Sequence, residues 1–307
     1  MTEGQFAEFF LRQGQRVIET KTCFWYSHRP LLYMSLPYYR AVSPSQGELA
    51  RVLLGGPAAA LRFPTNPDTD NRKVGIFLCS DRNYGFSSLQ QRMRNYTRRG
   101  LENCTVEAVE FGYLAQHGHQ LNLESFERQD RDATTMTESQ WHRYCEVAAA
   151  TPGFEAWGAW ARGRLAAFVV AALVEDCCHM HHQSAATEHL PLFPNHALNF
   201  SVTRLVLARP EVNSVCYGAD SLVTPGIDTY KSRMGFERLL FGERIVHNPL
   251  LQAGLALGGR KVIYWMARKY PQKEMIQRAA LLLQQDSTQA GKTPTGGSAQ
   301  NGVPGIT

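Results

Sequence analysis

The chain has 307 residues, 44% hydrophobic and 19% charged, with a formal net charge of +5 and a pI near 8.8. That length holds one large core or two modest ones. The charge falls short of a dedicated DNA binder and leaves an anionic substrate or membrane surface open. Seven scattered cysteines, mostly inside apolar runs (Cys79, Cys104, Cys145, Cys216), argue against a disulfide framework and for reduced thiols in the cytoplasm. The N-terminus lacks a basic-then-apolar leader, and no window reaches the ~18 apolar residues of a spanning helix. The longest such run, Leu165–Val174, has the length of a buried strand.

In chain order, Phe6–Gln13 predicts a short helix and Val17–Tyr26, rich in β-branched and aromatic residues, a strand. Leu31–Tyr39 is a second extended segment. Ser45 with Glu48 three residues on has the form of a capping box, so Ser45–Leu54 predicts a helix ended by Gly55-Gly56-Pro57. Leu61–Arg72 carries Pro64, Asn66, Pro67, Asp68 and Asp70 and reads as a loop. Val74–Cys79 predicts a strand, Ser87–Arg99 a helix stopped by Gly100, and Thr105–Phe111 another strand.

From Tyr113 to Thr151 the pattern turns helical, most clearly over Ser139–Ala150, where Trp141, Tyr144, Cys145 and Ala148 share a face. Thr151-Pro152-Gly153 breaks it. Two strands follow, Phe154–Ala161 and Leu165–Val174, joined by the turn Arg162-Gly163-Arg164. Cys177–Ser184 is a third extended piece. A helix is expected over His196–Ala208, a strand over Val212–Tyr217, a short helix over Ile227–Met234 and a strand over Arg238–Val246. Basic amphipathic helices are expected over Leu250–Lys269 and Gln272–Gln285. Residues 286–307, nearly free of large apolar side chains, predict disorder. The strand–helix–strand order of residues 17–111 loosely echoes that of 154–246.

One segment speaks most directly to function. Asp228–Phe236 is a short helix stopped by Gly235, which then presents Phe236 to a strand. With the hairpin bearing Trp157-Gly158-Ala159 and Gly163–Ala167, the helix from His196, the strand ending Tyr217-Gly218, and Lys231, it resembles the GNAT-like half of FemAB-type peptidyl or aminoacyl transferases and of BioF2-like acetyltransferase domains. The Arg-rich stretch Leu89–Leu101 resembles the helix before the apolar strand in FemAB-like proteins. The resemblance covers residues 74–247. It implies an α+β fold with a GNAT-like mixed sheet flanked by helices, possibly as two degenerate GNAT-like halves. The expected division is a first GNAT-like or flanking half over 1–111, a helical linker over 112–152, a catalytic half over 153–248, basic amphipathic helices over 249–285 and the tail 286–307.

The resemblance implies an N-acyltransferase that moves an acyl group from an acyl thioester, acyl-CoA, to an amine or amino-acid-type acceptor, with no metal. Two departures leave room for another donor. The region Leu190–Ala197 lacks the glycine loop with which GNAT acetyltransferases meet pyrophosphate, and Lys231 stands where many carry a tyrosine acid. The rival readings are a FemAB-like transferase that takes its donor from charged tRNA and a non-catalytic GNAT-like binding module.

Acyl transfer needs a polarised carbonyl, a deprotonated amine, a stabilised oxyanion and a protonated leaving group. Lys231 is the candidate for the oxyanion; the bland alternative is a solvated lysine on an amphipathic helix. Cys177–His182 is the densest cluster of potential ligands. Strand alternation places Cys177, His179 and His181 on one face and Cys178, Met180 and His182 on the other, spanning about 13 Å, too spread for one tetrahedral zinc. His182 as base and Ser184 are expected at the acceptor side with Tyr217; the alternative for each histidine is partial burial in the strand. Gly218, Asp220 and Ser221 follow the strand end, where ligands gather in open sheets, or form an ordinary turn. Asn195 stands at a helix start, as an anion contact or as an N-cap. Arg94 and Arg98, with Arg92 and Arg99, make a basic helix face, either solvated or directed at an anionic donor such as tRNA. The basic C-terminal helices suit peripheral contact with anionic lipid, or packing against the domain or a partner.

Overall fold

Arg162 and Gly163 both take positive φ, 52° and 73°, the geometry of a type I′ hairpin turn. They join β7 (Phe154–Ala161) to β8 (Arg164–Val174). Side chains of β8 alternate between two cores. Ala167, Val169 and Ala171 enter one, and Phe168, Val170 and Ala172 the other. Burial on both faces explains the unbroken apolar run of this strand.

The computed structural model describes residues 1–29, 31–68, 72–129, 136–220, 225–254 and 258–270. The chain forms two units, Met1–Val246 and His247–Thr307. In the first unit the remaining strands are β1 (Val17–Glu19), β2 (Phe24–Arg29), β3 (Leu32–Leu36), β4 (Ala60–Thr65), β5 (Arg72–Cys79), β6 (Thr105–Ala108), β9 (Cys177–Ala185), β10 (Ser214–Ala219) and β11 (Glu237–His247). The helices are α1 (Glu3–Arg12), α2 (Gln46–Leu54), α3 (Gln91–Asn103), α4 (Phe111–Arg128), α5 (Glu138–Ala149), α6 (Pro194–Leu207) and α7 (Pro225–Arg233). One mixed sheet runs β1-β2-β3-β4-β11-β5-β10-β9-β8-β7-β6.

The expected mixed sheet flanked by helices is present, and one connection occurs twice, once in each half of the strand order. In each, a parallel pair is joined through a helix: β3 and β4 through α2, β9 and β10 through α6. The last strand of each half is exchanged. β5 pairs with β10 and β11 lies beside β4, while β5 and β11 pair antiparallel from Glu237↔Leu78 to Glu243↔Arg72. The Arg62 Nε–H donates to the buried Glu243 Oε1 at 2.7 Å across the β4–β11 seam. The expected divisions after residues 111 and 152 therefore fall inside the first unit. α3 and α6 cover one face of the sheet, and α1, α4 and α5 the other.

Several elements differ from expectation. The strand expected over Val17–Tyr26 is two strands, broken where the Thr20 hydroxyl and amide turn back to the Cys23 carbonyl. The loop expected over Leu61–Arg72 holds β4, whose Leu61, Phe63 and Pro64 are buried; the apolar burial outweighs the proline's missing donor. Gly100 lies inside α3, which begins at Gln91 after a 3-10 turn. The capping box at Ser45 and Glu48 is present. A matching one at Thr2 and Gln5 starts α1 earlier than Phe6.

In the second unit, both described ends of the helix expected over Leu250–Lys269 are helical, as α8 (Pro249–Gly254) and α9 (Arg260–Lys269). The helix expected over Gln272–Gln285 and the tail lie outside the described residues.

Candidate active site

β9 and β10 run parallel but pair only from Ser214↔Cys177 to Cys216↔His179. Beyond that point they part, and both are irregular. On β9 the register with β8 shifts between Met180 and His182, which leaves His181 as the extra residue. On β10 the register with β5 shifts between Cys216 and Gly218, so Tyr217 is the extra residue, followed by Gly218 at φ 90°. Bulges of this kind re-aim side chains beside sites.

A cleft of about 630 Å³ opens at this divergence. The end of α4 lends Ser125 and Arg128, β9 Gln183 and Ser184, and the start of α6 Asn195 and His196. Tyr217 and Asp220 come from the end of β10, and Tyr230 and Lys231 from α7. The cleft sits at the carboxyl ends of the parallel strands, where such sheets place ligands.

Hydrogen bonds fix its floor. The Tyr217 hydroxyl donates to Gln183 Oε1 at 2.9 Å, bridging the parted strands. Asn199 Nδ2 donates to the hydroxyls of Tyr217 and Tyr230 at 2.8 and 2.9 Å. Gln183 Nε2 donates to Asn195 Oδ1 at 3.1 Å.

Lys231 is 4% exposed. Its ammonium donates to the Ala219 carbonyl at 2.7 Å and to Asp228 Oδ1 at 3.3 Å, and lies 4.7 Å from the Phe77 ring centre. Burial lowers its pKa, with Asp228 opposing. Two of three ammonium donors have these partners. Lys231 is thus a buried, oriented cation at the cleft, unlike the solvated-lysine alternative.

Arg128 Nη1 donates to Thr187 Oγ1 at 2.5 Å, and Nη2 to Ser125 Oγ and the Ala185 carbonyl at 3.0 and 2.8 Å. All three acceptors are neutral; burial lowers the Arg128 pKa, and the nearby Glu124 carboxylate opposes that shift. Burial pushes the His196 pKa down to about 4, so the ring is neutral at pH 7, and its buried Nδ1 has no partner among the described residues.

The expected residues divide. Lys231, Tyr217, Ser184, Asn195 and Asp220 line the cleft, and Gly218 supplies the bulge beside it. Asp220 is committed: it accepts from Arg238 Nε at 2.7 Å, Arg238 Nη2 at 2.5 Å and the Gly75 amide at 2.7 Å. The Arg238 bond holds its pKa below the usual carboxylate value. Asp220 therefore fastens β10 to β5 and β11. Asn195 is not an N-cap; Phe193 takes that place at φ 58°, with Pro194 as the first helical residue.

His182 is a correction. The bulge at His181 resets the alternation, so His182 lies under α4 and α5. There it contacts Asn122 Oδ1 through Nε2 at 2.8 Å and packs on Trp141, 5.3 Å between ring centres. It is linked to the cleft-lining Ser184 through Asn122, which also accepts from Ser184 Oγ at 2.6 Å. Arg94 and Arg98 do not line the cleft: Arg98 lies 5.3 Å over the Phe86 ring, and Arg94 Nε is buried. Ser221 lies outside the described residues. His179 and His181 bind the tyrosine hydroxyls of Tyr38 and Tyr144 at 2.9 and 2.8 Å.

Sequence reading missed Arg128, Gln183 and Tyr230. Tyr230 sits directly before Lys231, and a one-residue step on a helix was the available signal. Arg128 had none, because its neighbours along the chain are ordinary charged residues of a helix end.

The start of α6 is poorly suited to a pyrophosphate. Pro194 has no N–H, and the amides of His196 and Ala197 bond to the Phe193 carbonyl at 3.1 and 3.2 Å. The residues here do not fit the phosphates of CoA.

No protein-family model matches the sequence, and no curated protein matches it. Solved structures do. The chain is similar to FemX at 11% identity and TM-score 0.56, over 81% of this chain and 92% of that one. It is also similar to the C-terminal domain of an Agrobacterium fabrum protein assigned as a lysylphosphatidylglycerol synthetase, at 11% identity and TM-score 0.53, over 83% and 90%. A tandem GNAT protein from the clavulanic acid biosynthesis pathway aligns at 10% identity and TM-score 0.46, over 80% and 95%. The sequence resemblance and the first two likenesses meet in one conclusion: the chain has a FemAB-like, GNAT-type fold.

Proposed function

We propose that residues 1–246 form a transferase that passes an acyl group, in the form of an aminoacyl ester, to an amine held in the β9–β10 cleft. The observation that carries this reading is the cleft itself, opened by the parting of two parallel strands and edged by Lys231 and Arg128. Among the described residues its lining holds one carboxylate, Asp220, which is taken up by Arg238. A cationic site favours a donor with phosphates and disfavours nothing in an amine acceptor, which must arrive uncharged to react.

The start of α6 and the Tyr217–Gln183 bridge support an aminoacyl ester over acyl-CoA. The first offers no row of amides to a pyrophosphate, and the second occupies the gap between the strands. The lysylphosphatidylglycerol synthetase domain, named for a lysyl product, shares the fold, which supports an aminoacyl donor.

In the reaction the amine nitrogen attacks the ester carbonyl. A C–N bond forms, the carbonyl oxygen gains negative charge, and the C–O bond of the ester then breaks as the leaving hydroxyl takes up the proton that the amine nitrogen gives up. Lys231 directs its third N–H to the oxyanion. His196 Nδ1 and Ser184 Oγ accept hydrogen bonds that orient the amine. Arg128 holds an anionic group of one substrate.

The test offers the full chain bulk tRNA charged with radiolabelled amino acids, or a series of acyl-CoAs, each with a panel of amines. Protein-dependent, amine-dependent loss of label from tRNA, reduced about 100-fold or more in Lys231→Ala, is expected. Turnover of acyl-CoA instead overturns the donor, and turnover of neither overturns the activity.

A further inference from the structure

The second unit carries a surface that the transfer reaction does not use. From Pro249 to Tyr270 the sequence holds four Lys or Arg and no Asp or Glu. In α9, Lys261, Val262, Trp265, Arg268 and Lys269 are exposed, whereas Ile263, Tyr264, Met266, Ala267 and Tyr270 are partly buried. At 3.6 residues per turn the five exposed residues fall within about 120° of arc. They form one stripe along the helix, with two large apolar side chains set among three cations.

Trp265 is 56% exposed and Val262 53%. The Lys269 ammonium lies 4.7 Å from the Trp265 ring centre, which keeps the cation beside the ring and on the same side of the helix. Lys261, Arg268 and Lys269 have no ion pair among the described residues. In α8, Leu250 and Leu251 are also exposed, at 73% and 42%.

We infer that this stripe docks on the surface of an anionic phospholipid leaflet. A bilayer interface takes both components at once. An indole sits at the headgroup level with aliphatic chains beneath it, and lysine and arginine reach phosphate through their long stems. RNA would use the cations and could stack on the indole, but Val262, Leu250 and Leu251 would gain nothing from it. The charge and the aliphatic exposure together favour lipid. The inference does not depend on the transfer activity of residues 1–246.

The test is flotation of the full chain with phosphatidylglycerol–phosphatidylcholine vesicles, with phosphatidylcholine vesicles as control. Binding to the anionic vesicles, at least about tenfold above the control and weakened by salt, is expected. Trp265→Ala is expected to reduce it about tenfold, and Lys261→Gln/Arg268→Gln/Lys269→Gln to the level of the control, with thermal unfolding unchanged in both. A blue shift of the emission that Trp265→Phe removes would place the indole in the interface. Equal binding to both vesicle types, full binding by Trp265→Ala, binding of RNA but not vesicles, or self-association through Trp265 would each overturn the assignment.

Discussion

Tyr217 and Gln183 stand on strands that have stopped pairing, yet a 2.9 Å hydrogen bond from the tyrosine hydroxyl to the glutamine carbonyl closes the gap between them. The bond and the bulge that aims Tyr217 make the divergence of β9 and β10 a floor rather than a channel. Tyr217→Phe should cost about 0.5–1.5 kcal/mol, the worth of one hydrogen bond, measured by urea unfolding. Tyr217→Ala removes the ring as well. It is expected to cost about 3–5 kcal/mol in the same measurement.

Lys231 separates stability from chemistry. Its bonds to Ala219 and Asp228 stabilise the fold, but holding an ammonium at 4% exposure has a desolvation cost that offsets them. The Asp228 carboxylate, 23% exposed, keeps contact with water. Lys231→Met is therefore expected to change stability by about 1 kcal/mol or less while transfer falls about 100-fold or more. Paired denaturation and turnover measurements would show this, and an equal loss in both would assign the residue to folding alone.

Acid sensitivity follows from His179 and His181. Burial, with each ring opposing charge on its neighbours, lowers both from 6.5 to about 3. The unfolded chain therefore binds protons that the folded chain refuses. Stability is complete above pH 6.5 and is lost as pH falls toward 3, at up to about 1.4 kcal/mol per pH unit for the fully buried His179. His179→Gln keeps a hydrogen-bonding group for Tyr38 and should flatten the fall in melting temperature between pH 6.5 and 4. An unchanged slope would mean that His179 does not contribute to it.

Gly100 sets the distance between α3 and the start of α6. A Cβ there would lie 2.6 Å from the Phe193 carbonyl oxygen and 3.1 Å from the Ala197 amide nitrogen, both backbone atoms that move only with the helix. Gly100→Ala should cost about 1–3 kcal/mol, read from the urea midpoint. It should also weaken transfer, because α6 carries Asn195 and His196.

The fold was legible where periodicity and turn chemistry act locally. Phe154–Ala161 and Leu165–Val174 are apolar runs of strand length on either side of the turn Arg162-Gly163-Arg164, and Ser45 with Glu48 announces α2. Ala60–Thr65 was hidden because its Pro64 and the Asn66–Asp70 stretch carry loop chemistry, while the burial that makes it a strand comes from distant neighbours. The site was legible through Lys231 and Tyr217, whose places depend on elements close in sequence. His182 was misplaced because a bulge shifts alternation by one residue and leaves no mark in composition. Arg128 and Gln183 come together only when β9 meets α4, and Asp220 is withdrawn by Arg238, eighteen positions away on β11. Contacts of that range leave no local pattern to read.

The exchange of β5 and β11 also has a cost during synthesis. On the ribosome β5 is complete when Cys79 emerges, but its two neighbours are Ser214–Ala219 and Glu237–His247. At translation rates of about 5–20 residues per second, Ile76 and Phe77 wait roughly 10 s or more beside an unpaired backbone. A nascent chain halted before β10 would carry an open strand edge, a recognised route to aggregation.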